Sequence, residues 1–257
     1  MNVVSKNFDL FLIKFPIIFP IIYCFFLYTY PTTENFIIYL TILILAEPHF
    51  GATWPFFINS KNKKYILENK ISLIIIPFSI VGFCILGFFL FLSFFLLVFF
   101  AANIFHVTRQ SYGVCKLYCK DLLEFKFQSN FIYIINLLLF LVAFFRFYFP
   151  VIKDEYLFML NISFIILMLI ISIYYVKKFS FSENYLTFLT GCLIFYPACF
   201  VSNPVHLILM GVTMHYTQYL YLTSHVNRSR VNSINENEIY QKRSIYSFFV
   251  IILIYSL

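Results

Sequence analysis

Charge is scarce in this chain. Only 11% of its 257 residues are Asp, Glu, Lys or Arg, against about 25% in soluble domains. That leaves too little polar surface to cover a water-soluble globule, so a soluble enzyme is excluded. Several catalytic signatures are also missing: H-E-x-x-H, the G-x-x-x-x-G-K phosphate loop and G-x-G-x-x-G. The H-x-x-x-H and H-x-x-H-H set of membrane desaturases and hydroxylases is absent too. There is no C-x-x-C among the six cysteines. Most lie in apolar runs and read as small buried hydrophobes. Cys115 and Cys119 stand one helical turn apart, but no His is close enough in sequence to complete a metal set. No repeat of 20–50 residues and no hydrophilic segment long enough to fold alone is present, so residues 1–257 read as a single integral membrane domain.

What is there is apolar. Hydrophobic residues make up 62% of the chain, and the 37 Phe, with many Ile, Lys and Asn, fit an AT-rich genome. A membrane-spanning helix needs about 20 apolar residues. Candidate spans are residues 10–30 (uncleaved, since no small-residue cleavage site follows the first apolar run), 36–58, 71–90, 92–114, 131–149, 156–176, 185–202, 205–225 and 244–257. Asn59–Lys70 reads as a Lys-rich loop. The long run from Ile71 to Tyr118 divides into two spans at a tight turn near Phe91, because charge decides the alternative. With two spans, one side receives Lys6, the lysines from Lys61 to Lys70, Lys116, Lys120, Lys126, Lys177, Lys178 and the basic residues from Arg228 to Arg243. The other side receives only Lys153. The positive-inside rule therefore gives an all-α polytopic transmembrane bundle of about nine spans with a cytoplasmic N-terminus. A bacterial inner membrane is the expected location. The net charge of +7 belongs to these loops and argues against nucleic acid as a partner.

The polar residues inside the spans carry the functional expectation, since an ionisable group at membrane depth is costly. His106, Arg109, Gln110 and Gly113 fall on one helical stripe. The second, fourth and eighth spans run in the same direction. They place His49, His106 and His215 within about 3 Å of one level in the cytoplasmic half of the bilayer. Glu47-Pro48-His49-Phe50-Gly51 and Pro55 break the second span, and broken helix at that depth lines a cavity or is buried in protein. Imidazole is the commonest biological metal ligand. His49, His106 and His215 are the expected metal ligands, with iron the leading metal and zinc or copper the alternatives. Glu47 would be a fourth ligand or proton acceptor, Arg109 and Gln110 would hold an anion or orient a ligand, and Tyr112, Gln218 and Tyr219 would line the substrate. A lipophilic small molecule entering from the bilayer, oxidised at the metal, is the expected substrate. Two other readings use the same residues: a proton-coupled carrier, and interhelical hydrogen bonds that only hold the bundle together. His206 and His225 read as interfacial, and Arg146 as a cation reaching for lipid headgroups.

His49-Phe50-Gly51 within a span, accompanied by further intramembrane histidines, resembles the Brp/Blh-type carotene oxygenases. The resemblance implies a polytopic protein that holds iron through histidines of several helices. It covers a few residues of one span. The family's H-G-x-x-D signature is absent, and only His49 carries over.

Overall fold

The structure is a computed structural model that describes residues 6–52, 60–149, 154–232, 250 and 252. Among these residues there are helices and turns and no strand. In chain order the helices are α1 (Asn7–Lys14), α2 (Pro16–Thr29), α3 (Glu34–Thr41), α4 (Glu47–Gly51), α5 (Ser60–Glu68), α6 (Ile71–Leu90), α7 (Leu92–Tyr118), α8 (Leu122–Tyr148), α9 (Asp154–Phe179), α10 (Glu183–Cys192) and α11 (Pro204–Asn232). Four of them, α6 to α9, are long and apolar enough to cross a membrane, and a fifth crossing follows if the bent pair α1–α2 is one span. Over its described residues the chain is accordingly an all-helical membrane protein. The expected ninth span, residues 244–257, and Pro55 lie almost wholly outside the described residues.

Prolines and small residues shape the elements. Pro16 has no N–H to continue the ladder, so α1 closes with a π-helical turn, Leu10–Lys14, and α2 leaves at 47°. Pro48 is absorbed in the same way: a π-helical turn at Ile42–Ala46 precedes it and the helix runs on to Gly51. Three expectations need correction. Residues 60–68 are helical rather than a loop, with a Lys64–Glu68 pair one turn apart. The segment expected as a span at 185–202 stops being α-helical at Cys192 and continues as a 3-10 turn at Tyr196–Cys199, where Pro197 cannot donate. Arg146 is not a headgroup anchor but donates to the Cys199 carbonyl at 2.8 Å, beside Asn161 at 2.5 Å, and both cap that turn.

The helices group into two compact units. The first joins residues 1–45 to 104–218. Its core is built on Ile132, Ile135, Leu139, Phe188, Ile194, Leu207 and Met210, all buried. Asn136 ties α8 to α10 by donating from one amide nitrogen to the carbonyls of Ile132 and Gly191, each at 2.9 Å. Gly211 has a packing reason, since a Cβ there would stand 2.6 Å from the Phe195 ring.

The second unit joins residues 46–103 to 219–257. It contains α6 and the part of α7 up to Asn103, and the chain turns between them at Phe91 as the charge pattern requires. Phe95 folds back over Gly87, where a Cβ would lie 2.8 Å from its ring. None of the most apolar stretch of α6 is buried (0%). A surface of that size and apolarity belongs against lipid. Ala52 and Ile252 are buried together, with Tyr219 and Leu220 packed on them.

Candidate functional site

In the first unit, α7 turns Ile104, Val107, Thr108, Ser111 and Cys115 inward. Thr108 and Ser111 return their hydroxyls to the carbonyls four residues back, so the buried face of α7 is effectively apolar. His106 and Arg109 are exposed and Gln110 is half-buried, so the polar stripe runs along the edge of the packed face rather than through its centre. At that edge His106 meets the buried His215 of α11 edge to face, with ring centroids 5.8 Å apart. A ring nitrogen of each lies within 4.8 Å of the other's. Two imidazoles on one tetrahedral metal would place their nitrogens roughly 3.3 Å apart, a difference that small side-chain rotations close.

Two amides flank this pair. Gln110, one turn beyond His106, lies 3.1 Å from His106 Nε2 through its amide nitrogen, and its Oε1 is buried with no protein donor. Gln218, three residues beyond His215, donates to the Ile13 carbonyl at 2.8 Å, and its Oε1 is likewise buried without a donor. Buried acceptors of this kind are ordinarily satisfied. Each has capacity for a donor that is not part of the protein.

Arg109 and Tyr112 are drawn elsewhere. The Arg109 guanidinium donates to the Tyr133 hydroxyl at 3.1 Å and lies 5.0 Å over the Tyr112 ring. Tyr112 in turn packs on Phe125 and Tyr133 of α8. In the second unit, His49 is buried on the ring of Tyr219, 4.4 Å between centroids, and Glu47 is half-buried at the start of α4. His215, Gln218 and Tyr219 follow one another along α11 within little more than a turn.

Sequence reasoning missed two buried polar clusters of the first unit. Lys14, 2% exposed, forms an ion pair with Glu183. The neighbouring π turn has loosened the helical ladder, and the carbonyls of Ile13 and Lys14 accept from Gln218 and Thr190. Tyr118 donates to the buried Asp9 at 2.9 Å. In the second cluster Glu124 accepts from Tyr175, from Gln128 and from Asn184. Its place in the first turn of α8, after the Asp121 cap, also favours negative charge. The only sign of these clusters in the sequence is that Asp9 and Lys14 interrupt or abut apolar runs. In the short link between α7 and α8, burial first and then the Glu124 carboxylate push the Cys119 thiol up to about 12. No protein-family model, curated protein or solved structure matches this chain.

Proposed function

We propose that the chain is a metal-dependent oxidoreductase of the membrane, acting on a lipophilic substrate at a site formed by His49, His106 and His215. The observation that carries this reading is the edge-to-face approach of His106 to His215 beside two amide oxygens, on Gln110 and Gln218, that lack protein donors. His49 enters as the third ligand on the sequence argument, as the histidine expected at the same depth in the second span. Iron is the proposed metal, because imidazoles with a carboxylate and open positions suit it; bound there, it would supply redox chemistry. The chain's own groups do the rest. Gln110 and Gln218 accept hydrogen bonds from the bound water or substrate, Glu47 takes a proton, and Arg109 holds an anionic group once released from Tyr133. The proposal includes about nine spans, a cytoplasmic N-terminus and a bacterial inner membrane, supported by the distribution of Lys and Arg.

A proton-coupled carrier is the competing use of the same residues, favoured by the π turn and Pro48 that interrupt the helix carrying Glu47 and His49. The two are separated by where activity survives. Oxidation of a long-chain or isoprenoid substrate by the protein in detergent supports the enzyme. Activity seen only as gradient-driven uptake into sealed vesicles refutes it.

A further inference from the structure

One stripe of α7 changes character along its length. Phe105, Arg109, Tyr112 and Lys116 follow at the spacing of a single helical face. Phe105, Arg109 and Lys116 are exposed and Tyr112 is half-buried. Towards the α7–α8 link the stripe therefore runs apolar, cationic, aromatic, cationic. On α8, Ile134 and Leu137 follow Tyr133, are exposed, and extend the apolar part.

The charge on Arg109 is fixed, because a guanidinium does not deprotonate in proteins. It donates to the Tyr133 hydroxyl at 3.1 Å and lies 5.0 Å over the Tyr112 ring. These contacts hold it in place but use only one of its five N–H donors. Among the described residues no carboxylate pairs with it.

Depth follows from helix length. α7 and α8 are each 27 residues long, about 40 Å and so about 10 Å more than the hydrocarbon core. Lys116, Lys120, Asp121, Glu124 and Lys126 gather at the end the two helices share, so the excess lies there. Arg109, about 14 Å back from the end of α7, then sits about 4 Å inside the hydrocarbon, where its long side chain reaches the headgroups. A cation that faces outward at this depth needs an anion. With none supplied by the described residues, lipid phosphates are the anions at its level.

We propose that this stripe binds one anionic phospholipid, with the phosphate on Arg109, the acyl chains along Phe105, Ile134 and Leu137, and Lys116 beside the rest of the headgroup. Phosphatidylcholine offers the same phosphate but brings a quaternary ammonium against Lys116, so the stripe selects the anionic lipid. The inference rests on the chain being a membrane protein and involves neither the histidines nor a metal. The lipid is the anion that Arg109 holds while its bond to Tyr133 stands, distinct from the substrate group proposed above.

The test titrates the full chain, metal-free and delipidated in detergent, with phosphatidylglycerol or phosphatidylcholine of identical acyl chains, and counts bound lipids by native mass spectrometry. The first phosphatidylglycerol is expected to bind about five- to thirtyfold more tightly than the first phosphatidylcholine, the ratio that one to two basic residues support. Arg109→Gln and Lys116→Gln should each lower that ratio about fivefold, and the second reads the site independently if the first fails to fold. Lys177→Gln, at the exposed end of α9, should leave it unchanged. No preference in the native chain, a preference undiminished in either site variant, or an equal loss in Lys177→Gln overturns the proposal. So does a native dimer that Arg109→Gln separates, which would give Arg109 a carboxylate of a second copy instead.

Discussion

The Lys14–Glu183 pair offers a quantitative test of how the first unit is held together. The Lys14 side chain is 1% exposed and that of Glu183 44%, so the two charges are unequally solvated. Glu183→Gln leaves a buried ammonium 5.6 Å from the centre of the Tyr118 ring, whose hydroxyl donates to the buried Asp9. Removing one member of a buried pair costs about 3–5 kcal/mol. The half-open Glu183 end sets the expectation at the lower bound, about 3 kcal/mol. Lys14→Met keeps the volume and removes the charge. It leaves Glu183 with access to water, so it costs about 1 kcal/mol or less. In the Lys14→Met background, Glu183→Gln then costs nearly nothing, and the coupling is about 3 kcal/mol. For a chain of this size roughly 2–4 °C accompanies each kcal/mol. Thermal unfolding in detergent, followed by fluorescence-detected size exclusion, should therefore show Glu183→Gln about 6–12 °C below the native chain and the double variant within about 4 °C of it. Equal losses in Glu183→Gln and the double variant would refute this reasoning, because the charge left behind would then not be the cause.

Four further outcomes follow from single positions. Gly211→Ala, whose Cβ meets Phe195 at 2.6 Å and the Ile194 carbonyl at 3.1 Å, should cost about 1–3 kcal/mol in the same assay. Gly113→Ala meets nothing within 4 Å and should be neutral or stabilising by up to about 1 kcal/mol. Asn136→Ala strands the Gly191 carbonyl at the end of α10 and should cost about 1–3 kcal/mol, visible as faster hydrogen exchange in α10. The Cys119 thiol, raised from 9.0 to about 12, keeps its proton in the folded chain where the unfolded chain loses it. Stability should therefore decline as pH rises from about 9 to about 12, and Cys119→Ala should make that slope shallower in a pH series of melting curves.

The division at Phe91 was legible because it rests on a count of Lys and Arg, a signal that does not depend on tertiary contacts. The common depth of His106 and His215 was legible because position along a helix follows from residue number, but the meeting of their rings was not, since depth does not say which helices pack together. The destination of each polar group was not. Asp9 and Tyr118 are 109 residues apart in sequence, Lys14 and Glu183 are 169 apart, and nothing local pairs them. Arg146 reads as an interfacial cation because the carbonyl it caps, Cys199, exists as an open acceptor only where Pro197 has stopped the helix. Pro48 and Pro16 signal a break, but local sequence does not say that π turns would absorb the extra backbone length ahead of them. His206 reads as interfacial for want of partners, since Glu34 and Tyr23 lie more than 170 residues earlier in the chain.

Metal content tests the central claim most directly. The native chain, His106→Ala, His215→Ala and the control His225→Ala would be purified without chelators, checked for equal monodispersity and measured by inductively coupled plasma mass spectrometry after reconstitution with ferrous iron. The account predicts about one iron per chain in the native protein and the control, and near zero in both site variants. Iron equally present in all four, or absent from a well-folded native chain, would contradict it.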